Sequence, residues 1–482
     1  MEETLVKLHA PQGEDVVRLS TLDQQAQRNY AHVLVALALA PGSRVDETVH
    51  HLKQGLSMAL CELPDLAGLV APRPGSIRKE LELRLGPDSG VRFRVVDHTA
   101  AEQSPFKARR FEDLVENNFP IASLPREHLF VPHPTCEDAT VEGLSVVLAQ
   151  INFIEGGILM GLSWHHSACD ARGFGMLTTA WARHTKALVA RGKPDLDSIV
   201  EAGEQTRERW RLEHGSRDAT IAQFPNYVVD PAERSPLNPA APHLLDRPDP
   251  VAATAEMCTW HFSDEILRSL RKALNAASDE IDAHFTRSEA ASALVWKHLS
   301  LARRLDAANP DGTSLFSTRI DFRARMKPPF SDSFVGNLVE PNACVRMALA
   351  ELCTPSTPLS VANLALAVRG AVTALDDKAV HDFIGLVDSL PTVTDLTWRY
   401  DTYPGPDLAI SDMSGLELLK EDWGTTLGYP VCMRSCSQEK GLAYFLPMDR
   451  DGGFDVQVQC EKVAMERLKR DDIFARYAMF RS

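Results

Sequence analysis

The chain has 482 residues, a formal net charge of −15, and 44% hydrophobic against 24% charged residues. Such a chain can bury a sizeable core, and its acidity argues against general nucleic-acid binding or adhesion to anionic membranes. The cysteine count is nine, an odd number with no CxxC pair, which suits a reducing compartment rather than a disulfide framework.

The opening "MEETLVKLHAPQGED" is acidic and lacks an apolar signal core. "HVLVALALA" (32–40) is too short to cross a bilayer. Its Val/Leu content and its stop at Pro41-Gly42 predict a buried strand. Val49, Leu52, Leu56, Ala59 and Leu63 then recur at helical spacing until Pro64. "LELRLG" and "VRFRVVD" alternate in the strand manner. "LSVVLAQINFIEGGILMGLSWHH" predicts a hairpin that reverses at Ile154–Gly157 and delivers His165 and His166 at its carboxyl end. "GMLTTAWARHTKALVA" predicts a helix, so the two histidines sit on a strand–loop–helix junction, a usual place for binding groups.

Residues 191–250 are rich in Arg, Glu, Asp and Pro and read as a long crossover. Order restarts with a strand in "TAEMCTWHF" and a helix capped by Ser263. "TRSEAASALVWKHLSLARRL" predicts a helix and "FSTRIDFRARM" a strand. "GLAYFLPMDRDGGFDVQVQCE" predicts a hairpin turning at Asp451–Gly453. The pattern implies an α/β fold of two lobes, 1–195 and 251–482, joined by a crossover at 196–250. With no lipidation motif at the C-terminus, the expectation is a cytoplasmic monomer without a membrane partner.

The cluster His165-His166-Ser167-Ala168-Cys169-Asp170 admits three readings: a metal site, a core histidine pair, or a general base. Adjacent residues on an extended chain point to opposite faces, so one histidine at most shares a site with Asp170. HExxH is absent, which weighs against a metal. A histidine after a buried strand is often hydrogen-bonded core. As a base, a neutral His166 would take a proton from an alcohol or amine. The activated group would attack a thioester carbonyl directly, since no GxSxG elbow supplies a covalent nucleophile.

In its HHxxxD form this cluster resembles the signature of the BAHD superfamily of CoA-dependent acyltransferases. "LSTLDQ" (19–24), "LKQGLSMALCELPDLAGLV", "NFIEGG", "DFRARMKPPFSDSFVGN" (321–337) and "EDWGTTLGYP" (421–430) resemble further segments of that family, in the family's order. The last has the form associated with fungal members. The resemblance spans nearly the whole chain. It implies two chloramphenicol-acetyltransferase-like lobes with a tunnel at their interface. It also implies acetyl-CoA or another acyl-CoA as co-substrate, no tightly bound cofactor or metal, and a small-molecule hydroxyl acceptor from secondary metabolism. His166 would be the base, and Asp170 would hold the loop by pairing with Arg323. Asp422 would join the catalytic set, with Trp423 and Gly424 beside the cofactor channel. Ser411 would donate to the oxyanion, or be a structural residue bonded to backbone, while Met413 stands where relatives carry a tryptophan. Arg434 would meet a CoA phosphate, or be a plain surface arginine. Ala171 replaces the usual glycine after the aspartate. A condensation-domain-like enzyme taking carrier-bound thioesters, an N-acyltransferase and a non-catalytic binding protein on the same fold are the alternatives.

Overall fold

The Val/Leu run Tyr30–Ala38 is an inner strand of a six-stranded sheet. The structure, a computed structural model, describes residues 2–9, 13–100, 102–133, 143–193, 208–229, 255–278, 284–437 and 441–482. The sheet order is Glu2–Lys7, Gly90–Asp97, Val147–Ile154, Gly157–His165, Tyr30–Ala38, Cys432–Ser435. The predicted hairpin is present, antiparallel from Ile154 opposite Gly157 to Val147 opposite Trp164. Helices Val45–Glu62 and Ala171–Arg191 cover one face. Their Leu52, Leu56, Leu177 and Trp181 share a core with Val33, Val35 and Trp164, as strand and helix periodicities require.

A seven-stranded sheet forms the second lobe, in the order Ala343–Ala348, Thr313–Thr318, Leu408–Asp412, Leu442–Phe445, Phe454–Glu461, Ala255–Phe262, Met479–Phe480. Helices Asp264–Ala277, Arg287–Arg303 and Pro358–Thr373 cover one side of it. Ser263 caps the first of these, accepting from the Ile266 N–H at 3.2 Å. Strand alternation sorts the central residues. Leu408, Ile410, Ala443 and Phe445 join the helix-covered core. Ala409, Met413, Leu442 and Tyr444 join the core of the first sheet. The second sheet therefore turns one face to its own helices and the other to the first lobe.

Two expectations are corrected. The strand expected across "FSTRIDFRARM" ends at Thr318. Beyond it Asp321 accepts from the Arg323 N–H at 3.0 Å, and the Arg325 and Met326 amides turn back to the Phe322 carbonyl, which curls the chain out of the sheet. The lobe boundary at 250 does not hold for Cys432–Ser435, which pairs antiparallel with Tyr30–Ala38 in the first sheet. Within the expected crossover, 196–207 and 230–250 lie outside the described residues. Residues 208–229 are packed: Arg209 and Leu212 are buried, and Tyr227–Val228 pairs with Thr397–Trp398. Among the described residues no single helix is long and apolar enough to cross a membrane.

Candidate active site

The strand Gly157–His165 ends at the first histidine of the cluster. His165 is buried and lies opposite Tyr30, its ring 5.3 Å from the tyrosine ring in an edge contact. Burial first, and the charge of Arg28 second, hold its pKa down at about 3. It is a neutral core histidine at any working pH.

His166 leaves the strand. Its N–H donates to the Asn29 carbonyl at 2.9 Å, and its side chain is half-buried. Its Nδ1 has no hydrogen-bond partner among the described residues. Burial and then the positive charge of Arg319 push its pKa down to about 4, against opposing contributions from its own backbone, Asp170 and Asn337. The imidazole is therefore neutral and able to accept a proton across the physiological range. Cys169, inside the same loop, is fully buried, and desolvation raises its thiol well above the ordinary range. It is not a thiolate nucleophile.

Asp170 does two structural jobs. It caps helix Ala171–Arg191, accepting from the Gly173 N–H at 3.0 Å. It also takes a two-pronged bond from Arg323, at 3.0 Å and 3.1 Å, and accepts from the Leu338 N–H at 3.2 Å. Arg323 is 2% exposed, and its other partners are Asp321 and the carbonyls of Phe334 and Gly336. Burial alone would lower the Arg323 pKa, but Asp170 and Asp321 outweigh it and raise the value. An Asp170 so occupied is spent as a metal ligand. Ala171 needs no glycine-like backbone, because it is the first residue of an ordinary helix.

Ser411 lies on strand Leu408–Asp412 between Ala409 and Met413, the residues that face the first lobe. By alternation its side chain points toward the first lobe. Met413 is buried in that apolar layer and offers no donor.

The structure does not join Asp422 to His166. Asp422 pairs with Lys186 at 3.0 Å and accepts from the Gly424 N–H at 2.9 Å. Burial works to raise its pKa, but the bonds from Lys186 and the Gly424 N–H lower it overall. Lys186 is fifteen residues along the helix from Ala171, about 22 Å at 1.5 Å per residue, so Asp422 is no catalytic group. Trp423 is buried against Trp181, ring centres 5.4 Å apart. Gly424 has φ +90° and sits where a Cβ would press on Lys186 and Val189 at 3.2 Å. This segment is a clasp on the far end of the helix. Arg434 is also corrected as a phosphate contact. It is 1% exposed and spends its donors on Asp455 at 2.9 Å and on the Asn118, Phe119 and Met433 carbonyls.

Residue-by-residue reading missed the groups beneath the loop. Asn337 donates to the His166 carbonyl at 2.8 Å, Arg209 donates to the Ala168 carbonyl at 2.9 Å, and both contact Asp23. Asp23 lies in "LSTLDQ" and Asn337 ends "DFRARMKPPFSDSFVGN", so their segments were visible while their partnership was not.

The Transferase family model matches residues 1–474. The chain is 49% identical over 481 residues to acyltransferase easC of Emericella nidulans, covering all of this chain and 98% of that protein. It is 52% identical over 487 residues to acyltransferase cm3D of Cordyceps militaris, covering both fully. Among solved structures it is similar to F. graminearum TRI101 complexed with coenzyme A and deoxynivalenol, with a TM-score of 0.78 at 20% identity, over 97% of this chain and all of that one. It is also similar to vinorine synthase, with a TM-score of 0.63 at 18% identity, over 97% and 95% of the two chains.

Proposed function

The chain belongs to the Transferase family and, within it, to the BAHD superfamily of acyl-CoA-dependent acyltransferases, and from that premise we propose a specific reaction. An acyl group, acetyl in the simplest case, moves from acyl-CoA to a hydroxyl of a secondary metabolite. His166 takes the hydroxyl proton as the oxygen attacks the thioester carbonyl. The tetrahedral oxyanion is met by Ser411 as donor. Collapse breaks the C–S bond, and the departing thiolate recovers the proton from the imidazolium as free CoA. The ester and the thiol account for every atom, and no acyl-enzyme forms.

The observation that carries this reading is the half-buried, neutral His166 imidazole, held at the loop whose Asp170 is taken up by Arg323. The coenzyme A bound in TRI101 and the acyltransferase names of the full-length relatives support the donor class.

The test uses acetyl-CoA and hexanoyl-CoA with a panel of secondary-alcohol metabolites, followed by free-thiol release and product mass. His166→Ala is expected to lose about 10²–10⁴-fold in turnover with an unchanged melting temperature. Initial-rate plots varying both substrates are expected to intersect, and a chelator to leave the rate unchanged. Parallel plots would instead demand a covalent acyl-enzyme. Full activity in His166→Ala would refute the mechanism.

A further inference from the structure

We propose that Arg209, from the segment joining the two lobes, is a positioning residue for the catalytic loop, acting with Asp23 and Asn337 to fix the backbone that aims His166. This rests on the reading of His166 as the base.

Arg209 is 3% exposed and lies in the short turn Glu208–Leu212. Its guanidinium serves three groups at once. Nη2 donates to the Ala168 carbonyl at 2.9 Å, Nε donates to Asp23 Oδ2 at 3.0 Å, and Nη1 pairs with Asp65. The other oxygen of Asp23 accepts from the Asn337 backbone N–H at 2.7 Å and from its side-chain amide at 2.9 Å. That same amide donates to the His166 carbonyl at 2.8 Å. The carbonyls of His166 and Ala168 are therefore gripped through one carboxylate.

Arg323 holds the far end of the loop at Asp170. The grip on its middle draws on three parts of the chain: the helix Thr21–Gln25, the joining segment and the second lobe.

Burial of this ion cluster is a poor source of stability, because desolvating the charges offsets their attraction. Orientation is what it supplies. A planar fork can address two carboxylates and one carbonyl together, whereas a lysine ammonium on a flexible stem cannot hold that geometry. With the middle of the loop released, the imidazole would drift from its attack position, and misplacement of about 1 Å can cost about 10²-fold in rate.

The test compares Arg209→Lys and Arg209→Met with the wild-type full chain. Three readouts are used: turnover and KM with acetyl-CoA and the alcohol panel, the melting temperature, and the pH dependence of His166 modification by diethyl pyrocarbonate, followed by peptide mass spectrometry. The last needs no acceptor.

Arg209→Lys keeps the charge balance and is expected to fold with a near-native melting temperature. Its kcat should fall by about tenfold or more while KM for acetyl-CoA stays within about threefold. Its His166 profile should move up toward about 6.5 as the loop loosens and water enters. Arg209→Met should show the same changes, larger. Should Arg209→Met fail to fold, Arg209→Lys decides. Wild-type kcat and an unmoved His166 profile in a folded variant overturn the proposal, even if the melting temperature drops. Failure of both variants to fold overturns it too, since Arg209 would then belong to the fold alone. His166→Ala separates the two hypotheses. If it retains turnover the general-base reading fails, whereas an inactive His166→Ala beside fully active Arg209 variants sinks only this inference.

Discussion

Substituting Asp170 by Asn removes one charge and almost nothing else. Asparagine is as good a helix cap as aspartate, so the bond from the Gly173 N–H survives in kind. What is lost is a carboxylate that accepts from both ends of the Arg323 fork, at 3.0 Å and 3.1 Å, and from the Leu338 N–H at 3.2 Å. With its carbonyl on the Gly173 side, the amide serves one of those three donors, and its NH2 must face the other two, Arg323 Nη1 and the Leu338 N–H. Arg323 stays buried with a reduced counter-charge. Removing one partner of a buried pair costs about 3–5 kcal/mol. Here Arg323 keeps Asp321 at 3.0 Å and two carbonyls, so the cost should sit near the lower end, about 3 kcal/mol. That is a large part of the roughly 5–15 kcal/mol that holds a typical domain together, without being all of it. Urea unfolding of Asp170→Asn, Arg323→Met and the double variant measures the coupling directly. The double variant should be less destabilised than the sum of the singles by more than about 1 kcal/mol. Activity should fall together with stability. A variant as stable as wild type that loses only catalysis would refute the loop-anchor role and give Asp170 a direct part in the chemistry.

Because burial and Arg319 depress the His166 pKa to about 4, the acid limb of kcat/KM should lie near there, well below the ordinary 6.5, and a rate that halves near pH 6.5 would contradict the buried placement. His165, held at about 3, stays neutral in the folded chain while its unfolded form binds a proton below about 6.5, so its share of stability is fully present above that pH and is lost progressively as pH falls from there toward about 3. Between pH 7 and pH 5 that share is about 2 kcal/mol, and His165→Gln should flatten the acid loss measured by urea unfolding by that amount; an unchanged slope would show that His165 is protonated in place. Arg434→Met should destabilise the chain by about 3 kcal/mol while leaving KM for acetyl-CoA unchanged, and a raised KM in a fully stable variant would return Arg434 to the cofactor.

Local pattern was enough for much of this protein. The hairpin Val147–His165 follows from two apolar arms around a glycine pair, and the helix Arg287–Arg303 follows from a run of strong helix formers behind a Thr286 cap. Ser263 declared the start of its helix by residue type alone. These elements depend on neighbours a few residues apart, so nothing distant is needed to specify them. His166 and Asp170 were legible for the same reason: a strand that ends, a polar loop and a helix that begins are all local.

Tertiary structure decided what the charged side chains do. Arg434 and Arg209 look alike as letters. One is expected at a phosphate and is instead spent inside on Asp455, while the other is spent inside on Asp23, Asp65 and the Ala168 carbonyl. Asp422 carries the charge of a catalytic group, yet it is fastened to Lys186, about 22 Å along the helix from Ala171. Cys432–Ser435 left its own half of the chain because its edge pairs with Tyr30–Ala38. The reason is the same in each case. Periodicity records whether a side chain is wanted inside or outside, but a buried charge is satisfied only by a particular partner, and its partner here lies tens to hundreds of residues away, as with Asp170 and Arg323, 153 apart. Only the folded chain brings those partners within about three ångströms, and only there does a charged residue become an anchor or a clasp.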